Sequence, residues 1–330
     1  LTPGKNSDRY NNAMPTLPRV SIITPSYNQA QFLEQTIRSV LDQNYPNLEY
    51  WVIDGGSTDG SLEIIQKYAG QLAGWVSEPD RGQAEGINKG LARATGEVVA
   101  WLNSDDVYYP GAVGAAVEAL AANPQASFVF SDVESIDEAG KPFHRMRYGH
   151  WGLADLMRFR IIGQPAVFIR RTYLAQTGLL DPSYHYLLDH HLWLRLAALA
   201  EPVYVPGELW AAARMHASAK NMAQAAGFAP EALQLAKWIL QDPRFEPLAS
   251  QMERQIWAGA YRLAGFYLME SGQAGKALSA YARSFWHAPG IALQDWKRIL
   301  SVFASVLGLR GLAESLRSAS RQRYQQAHRK

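Results

Sequence analysis

The sequence contains no cysteine among its 330 residues, which excludes a disulfide framework, a thiolate nucleophile and a zinc site built on thiolates. It has no run of about 18 uninterrupted apolar residues, so we expect no membrane-spanning helix. A formal net charge of only +2 gives no sign of a polyanionic partner, and we expect no binding to nucleic acid. The lack of cysteine suits a reducing compartment, and we expect a cytoplasmic protein.

Two phosphate-binding motifs are also missing. No G-x-G-x-x-G follows the first predicted strand and no G-x-x-x-x-G-K-[ST] occurs in the chain, so neither a dinucleotide site nor a P-loop is supported. Residues 1–17 are polar, with Gly, Asn and Pro, and contain no apolar h-region. We interpret them as a loose polar leader and not as a signal peptide.

The most informative segment of the sequence is one predicted strand and the turn that follows it. An apolar run at residues 98–102 (VVAWL) stops at Asn103, Ser104, Asp105 and Asp106, as a buried strand of a parallel sheet does. Ligands bind at the carboxyl ends of such strands, and adjacent carboxylates suit Mg²⁺ or Mn²⁺. The alternative is a loop whose polar side chains cap the following helix.

Alternating strand and helix patterns precede this segment. The patterns predict strands at residues 20–24, 48–53 and 74–78, and helices at residues 31–42, 62–68 and 84–94. Such alternation implies right-handed crossovers and a mostly parallel sheet. The polar residues that follow the four strands should therefore meet at one edge of the sheet.

Four ordered segments resemble glycosyltransferase family 2: residues 20–28 (VSIITPSYN), 54–60 (DGGSTDG), 88–90 (NKG) and 104–106 (SDD). The resemblance extends over roughly residues 18–222. It implies the GT-A fold, an α/β fold with a Rossmann-like, mostly parallel sheet flanked by helices, and inversion at the anomeric carbon. It also implies a nucleotide-sugar donor, linked to UDP, dTDP or GDP, and Mn²⁺ or Mg²⁺ as the cofactor.

The same resemblance implies a site for the donor nucleotide. Thr24 and Tyr27 are expected to border the nucleobase, and Asp54 to hydrogen-bond it. Arg81 is expected near the base and the diphosphate. Each of these segments, taken singly, is better explained by an ordinary turn or a solvated charge, so the expectation depends on their convergence.

The D-x-D motif of the family is replaced here by Asn103, Ser104 and Asp105. The resemblance makes Asp105 the metal-binding acid, with Asn103 and Ser104 as donor contacts. Asn103 stands where an Asp is usual; it can bond a ribose hydroxyl but adds no charge. The division of metal binding between Asp105 and Asp106 stays open.

A second segment, residues 189–196 (DHHLWLRL), resembles the E-D-x-D-L-W-L-R-L of the family. Asp189 matches the catalytic Asp at the start of a helix. His190 and His191 are alternative bases, and an alternative reading has them bind a metal. Adjacent residues on a helix point in different directions, so they would chelate poorly.

Two further segments carry expected contacts. Residues 214–220 (RMHASAK) resemble a flexible R-x-H loop over the diphosphate, in which His216 joins the metal shell and Lys220 neutralises the leaving phosphate; the alternative is a solvated loop. Residues 161–169 appear strand-like and interrupted by Pro165, which favours an edge strand or a bulge. Gln164 is the candidate acceptor contact there, with a purely structural bulge as the alternative.

Beyond the glycosyltransferase domain, placed at residues 18–225, residues 226–330 have a helical composition. Residues 260–289 resemble a tetratricopeptide-type helical hairpin, which cannot bury its own face and must pack on something else. Residues 296–330 combine an apolar stripe with many Arg and Lys. Such a helix can lie on an anionic membrane surface, or it can pack on the protein.

We therefore predict an inverting, metal-dependent glycosyltransferase with a glycan or lipid-linked acceptor, acting in assembly of a bacterial surface glycan such as lipopolysaccharide, capsule or exopolysaccharide. Peripheral contact with the inner face of the cytoplasmic membrane is a further expectation. One alternative is a non-catalytic module that binds sugar nucleotides. A sugar-phosphate nucleotidyltransferase is less well supported, because it expects a Gly-rich basic loop after the first strand.

Overall fold

The structure, a computed structural model, describes residues 17–309 and 311. Residues 1–16 of the predicted leader lie outside the described residues. So do residue 310 and residues 312–330, which carry most of the basic residues of the predicted tail.

The first half of the sheet is parallel, as the strand and helix alternation predicted. Strand β1 pairs with β2 on one side and with β4 on the other, and β2 pairs with β3, all in parallel. The four strands are Val20–Ser26 (β1), Leu48–Asp54 (β2), Gly74–Ser77 (β3) and Val98–Trp101 (β4). Their carboxyl ends lie at one edge of the sheet, which confirms the predicted convergence of the polar segments.

The second half of the sheet is mixed rather than parallel. Its strands are Val107–Tyr108 (β5), Phe128–Ile136 (β6), Pro142–Met146 (β7), Val167–Arg170 (β8) and Val203–Arg214 (β9). Along the sheet the order is β3-β2-β1-β4-β8-β6-β9-β5, and β7 pairs with β6. Antiparallel pairs join β8 to β4 and to β6, β7 to β6 and β5 to β9.

The predicted edge position of residues 161–169 is wrong. Gln164–Ala166 form one turn of 3₁₀ helix, and β8 begins only at Val167. Strand β8 lies between β4 and β6, inside the sheet. Pro165 is tolerated because it precedes the strand, where its missing N–H removes no hydrogen bond from the ladder.

Helices cover both faces of the sheet. In the catalytic region they are Ala30–Leu41 (α1), Ser61–Tyr68 (α2), Gln83–Leu91 (α3), Ala112–Ala122 (α4), Leu153–Met157 (α5), Arg171–Thr177 (α6), Leu188–Leu199 (α7) and Lys220–Ala223 (α8). Alternate residues of each strand enter opposite cores. Val98 and Ala100 pack in the cluster with α1 and α4, whereas Val99 and Trp101 pack in the cluster with α3 and α7.

The C-terminal helices continue the second of these cores. They are Phe228–Gln241 (α9), Leu248–Glu270 (α10), Ala274–His287 (α11), Pro289–Ala292 (α12) and Trp296–Val306 (α13). Leu235, Ile239 and Ile256 belong to the same buried cluster as Trp101 and Trp193. The apolar core therefore runs without a break past residue 225, where we placed the domain boundary, and the tetratricopeptide likeness of the hairpin α10–α11 stays a prediction.

Within residues 17–309, no helix is both long enough and apolar enough to cross a membrane.

Candidate active site

A cleft of about 920 Å³ opens at the carboxyl edge of the parallel strands. It extends from the turns after β1 and β2 to the start of α7 and the C-terminal helices. Most of the predicted site residues line it: Tyr27, Arg81, Asn103, Ser104, Asp105, Asp106, Gln164, Asp189 and Lys220. The structure thus brings together residues separated by almost 200 positions in the sequence.

Thr24 and Asp54 lie behind the cleft wall rather than on its surface, because both side chains are fully buried. The Thr24 hydroxyl is 2.9 Å from the hydroxyl of Tyr50. One carboxylate oxygen of Asp54 accepts hydrogen bonds from the Gly56 and Ser57 amides and from the Ser77 hydroxyl. Asp54 therefore fixes the turn after β2, and the predicted contacts of Thr24 and Asp54 with the nucleobase stay predictions.

Glycine is required in that turn for two reasons. Gly56 has a φ of +82°, which L side chains rarely adopt. An added Cβ at Gly55 would lie 2.8 Å from a carboxylate oxygen of Asp80. The turn and Asp80 thus approach each other closely on the side of the cleft formed by the ends of β2 and β3.

Tyr27 and Arg81 form the exposed rim on the same side. Tyr27 is 62% exposed, and Arg81 forms an ion pair at 2.7 Å with Glu85 one turn along α3. Exposed pairs of this kind contribute little to stability, so the guanidinium can leave Glu85 for a ligand at small cost.

Asp105 and His216 are the pair that fits a divalent cation. Asp105 Oδ2 lies 3.0 Å from His216 Nε2, and His216 Nδ1 lies 2.9 Å from the Ser218 hydroxyl. The hydrogen bond to Ser218 can hold the imidazole in the tautomer that turns the Nε2 lone pair toward Asp105. No group of three or more His, Cys, Asp or Glu residues within the described chain could hold a metal. One carboxylate and one imidazole leave most of the coordination shell to water and to substrate phosphates, as is usual for Mg²⁺.

Asp106 differs from its neighbour in having both oxygens engaged by protein donors. Oδ1 accepts from the Arg214 amide at 2.9 Å and Oδ2 from the Asn103 side chain at 3.2 Å. Burial, and next the charge of Asp105, raises the pKa of Asp106 well above its usual range. Its contacts join the turn after β4 to the end of β9.

Arg214 strengthens the same connection. Its guanidinium donates to the carbonyl of Asp105 at 2.9 Å and to the side chain of Gln35 at 2.6 Å, and it lies over the Phe32 ring. These contacts fix the end of β9 two residues before His216, so the spacing between His216 and Asp105 is set by buried structure.

A chain of hydrogen bonds crosses the floor of the cleft. The Lys220 ammonium donates to Gln83 at 2.7 Å, and Gln83 donates to Asn103 at 2.8 Å. Asn103 donates to Gln164 at 3.3 Å, and Gln164 donates to the Trp101 carbonyl at 2.7 Å. The network connects the residue predicted for the leaving phosphate with the residue predicted for the acceptor.

Asp189 lies in the first turn of α7 and is half-buried. Burial raises the pKa of its carboxyl to about 6, although a hydrogen bond from the His190 amide favours the charged form. A carboxylate with a pKa near the working pH is suited to accept a proton from a hydroxyl.

His190 and His191 are buried in the protein and do not line the cleft. His190 Nε2 lies 3.0 Å from the Leu156 carbonyl, and His191 stacks on Tyr184 with ring centroids 4.4 Å apart. Burial lowers the pKa of His190 to about 4 and that of His191 to about 3. Both are neutral packing residues, which disfavours them as bases and as metal ligands.

Sequence reasoning missed four residues of the site. Asp80 and Gln83 carried a signal, since Asp80 lies in the polar turn between β3 and α3 and Gln83 is the first residue of α3. Phe228 and Tyr267 gave no signal in the sequence, because aromatic residues at helical spacing are normally packing residues. They line the cleft near the C-terminal helices, with ring centroids 3.9 Å apart.

Comparison with known sequences agrees with this geometry. Residues 21–185, which are 165 of the 330 residues, match the sequence model of Glycosyl transferase family 2. TuaG of Bacillus subtilis (strain 168), a glycosyltransferase named for teichuronic acid biosynthesis, is 32% identical over 204 residues, covering 60% of this chain and 79% of that protein. An uncharacterized glycosyltransferase of Mycobacterium tuberculosis (strain ATCC 25618 / H37Rv) is 31% identical over 200 residues, covering 58% and 74%.

Solved structures show the same fold over nearly the whole chain. TarS 1–349 of S. aureus, in complex with UDP-GlcNAc, has a TM-score of 0.61 at 17% identity and covers 94% of this chain and 92% of its own. The mannosyltransferase PcManGT of Pyrobaculum calidifontis, in complex with GDP-Man and Mn²⁺, has a TM-score of 0.58 at 20% identity and covers 92% and 86%. With the family match over half of the sequence, these findings identify the chain as a member of glycosyltransferase family 2 with the GT-A fold.

Proposed function

We propose that the protein transfers a sugar from a nucleotide-sugar to an acceptor hydroxyl, with inversion at the anomeric carbon. The observation that carries the proposal is that Asp105, Lys220 and Asp189 line one cleft, while His216 is buried behind Asp105 and contacts its carboxylate. A displacement of a nucleoside diphosphate needs positive charge at the leaving group and a base at the nucleophile, and this cleft has residues for both.

The nucleotide is proposed to bind at the ends of β1 to β3. Tyr27 and Arg81 stand at the rim and would contact the base and the diphosphate, while Asp54 acts indirectly by holding the Gly55–Gly56 turn. Ser104 and Asn103 would bond the ribose. Related folds bind UDP, UDP-GlcNAc and GDP-Man, which supports a nucleotide-sugar donor.

Asp105 and His216 would hold Mn²⁺ or Mg²⁺, with Asp106 supporting the turn rather than binding the ion. A divalent cation bound there supplies positive charge to the departing diphosphate. Lys220 would add a second, fixed charge on the same oxygens; burial lowers its pKa, but Asp189, Glu231 and Asp105 oppose that shift. Fixed cations aimed at developing negative charge are among the largest contributions to catalysis.

The acceptor is proposed to enter beside Asp189. Asp189 would take the proton of the acceptor hydroxyl as that oxygen attacks the face of the sugar opposite the leaving group. Gln164, fixed by its bond to the Trp101 carbonyl, would position the acceptor. The rings of Phe228 and Tyr267 offer apolar surface near Asp189, as glycan-binding sites require.

We further propose a role in assembly of a bacterial surface glycan, which the likeness to TuaG supports. A glycan that grows on a lipid carrier would bring the enzyme to the inner face of the cytoplasmic membrane. An exposed apolar stripe on α13 and the residue after it supports such contact: Trp296, Leu300, Phe303 and Leu307 are 47–71% exposed at helical spacing. Residues 310–330 contain six Arg or Lys and one acidic residue, and this positive charge would favour binding to anionic lipid.

The experiment that tests the donor site is a thermal-shift screen of nucleoside diphosphates and nucleotide-sugars with and without Mn²⁺. A ligand at 100 times its Kd should stabilise the native state by about 2.7 kcal/mol. We expect a shift with UDP, dTDP or GDP that requires the cation. If no nucleoside diphosphate stabilises the protein under either condition, the proposal is wrong.

A further inference from the structure

The loop just before α7 is held by a residue from the C-terminal helices. Glu231 Oε1 accepts from the His185 amide at 2.6 Å, and Oε2 accepts from the Tyr186 and Leu187 amides at 2.8 and 2.9 Å. Glu231 lies in the first turn of α9 and is only 7% exposed. Charge-assisted hydrogen bonds are stronger than neutral ones, so three of them to consecutive amides fix this loop firmly.

The same loop is held on its other side by Lys220, whose ammonium donates to the His185 carbonyl at 3.0 Å. It is also held by packing at the start of α9. An added Cβ at Gly227 would lie 2.2 Å from the Tyr186 ring, and Tyr186 packs against Phe228 with centroids 4.9 Å apart. A larger residue at position 227 would therefore displace the Tyr186 ring from its place against α9.

The held loop leads directly into the catalytic end of α7. Leu187 is the residue before the helix, its amide is bonded to Glu231, and Asp189 follows two positions later. A displacement of the loop would move the Asp189 carboxylate relative to the cleft. Small displacements of a reacting group can cost about 10²-fold in rate.

We propose that Glu231 is a positioning residue for Asp189, and that the C-terminal helices complete the active site through it. The proposal rests on the proposed function, in which Asp189 is the base. It assigns a task in catalysis to a region that the family match at residues 21–185 does not include.

Glu231 also acts on Asp189 through its charge. After burial and the local backbone hydrogen bonds, the charges that act on the pKa of Asp189 are Lys220, which lowers it, and Glu231, which raises it. The hydroxyls of Tyr148 and Tyr267 also interact with Asp189 from the sheet side and from α10. Removal of the Glu231 charge should therefore lower the pKa of Asp189, an effect that a merely structural residue elsewhere would not have.

The test is Glu231→Gln in the full chain, with hydrolysis of UDP-GlcNAc and GDP-mannose in Mn²⁺ as the reaction. We expect kcat to fall about 10- to 100-fold, while donor affinity stays within about twofold of wild type. The acid limb of the pH–rate profile should move to lower pH, and the amides of residues 185–187 should exchange faster with deuterium. Glu253→Gln removes the same charge from an exposed position of α10 and should change none of these.

Three outcomes would overturn the proposal. Faster amide exchange with unchanged kcat and acid limb means that the loop is held but that its position does not matter. An equal loss of donor affinity and kcat moves Glu231 to donor binding. Absence of wild-type turnover with every nucleotide-sugar of the thermal-shift screen contradicts the proposed function itself, a result distinct from a loss confined to the variant.

A shorter acid keeps the proposal testable if the glutamine variant does not fold. Glu231→Asp retains the charge but reaches fewer amides, so kcat should fall while the acid limb stays in place. Full activity of this variant together with fast exchange of the loop amides would refute the positioning role.

Discussion

Replacement of Asp189 by Asn should make the protein inactive and more stable. Burial raises the pKa of Asp189 from 3.8 to about 6, a shift of about 2 units. At about 1.4 kcal/mol per unit, the ionised carboxylate destabilises the native state by up to about 3 kcal/mol at high pH. Asn has the same size and can still accept the hydrogen bond from the His190 amide, so the substitution removes mainly the charge.

The sign of the effect depends on pH in a defined way. Below about pH 4 the carboxyl is protonated in both the folded and the unfolded chain, so the variant and the wild type should be equally stable. Between about pH 4 and 6 the unfolded chain ionises first, and the stabilisation by Asn grows. Above about pH 6 the stabilisation by Asn reaches its full value.

The assay combines urea unfolding at pH 4.5 and pH 8 with donor turnover at pH 8. We expect kcat to fall about 10²–10⁴-fold, the usual contribution of a general base, while donor affinity stays within a few-fold. An Asn variant that is less stable than wild type at pH 8 would refute the claim that burial destabilises the ionised carboxylate. Retained turnover would refute its role as the base.

Three further changes probe the cation, the leaving group and the membrane. Asp105→Ala, or a chelator added to wild type, should abolish turnover and cation-dependent nucleotide binding; full activity in chelator would exclude the metal role. Lys220→Gln should lower kcat about 10²- to 10³-fold, measured beside the exposed control Lys237→Gln, and an unchanged kcat would remove Lys220 from the mechanism. Trp296→Ser with Phe303→Ser should weaken binding to phosphatidylglycerol vesicles more than tenfold, since about 2 kcal/mol of apolar burial is lost; unchanged sedimentation with vesicles would exclude α13 as the contact.

The parallel half of the fold was predictable because its signals are local. Each of the first four strands is a short apolar run that ends at a polar turn, and each crossover helix has a clear apolar stripe. The mixed half of the sheet could not be predicted, because its strand order depends on pairing between strands that are distant in the sequence. Nothing in residues 161–169 indicates that β8 enters the sheet between β4 and β6, and Pro165 pointed to the opposite conclusion.

The site divides in a similar way. Asp105 and Asp189 stand at positions that a motif or a helix start identifies, and both line the cleft. Thr24 and Asp54 lie near the carboxyl ends of β1 and β2, yet their side chains are buried, and burial of a single side chain is not encoded in the local pattern. The contacts of Glu231 could not be predicted from the sequence, because a Glu in the first turn of a helix normally indicates only a favourable interaction with the helix dipole.

The central claim is a single displacement at the anomeric carbon, and time-resolved proton NMR of donor hydrolysis in Mn²⁺ tests it most directly. UDP-GlcNAc and GDP-mannose are α-linked donors, so the sugar that is first released should carry the β-anomeric signal, before mutarotation equilibrates the two forms. The account predicts this signal in wild type and its loss in Asp189→Asn. Release of the α-anomer first would contradict the single displacement.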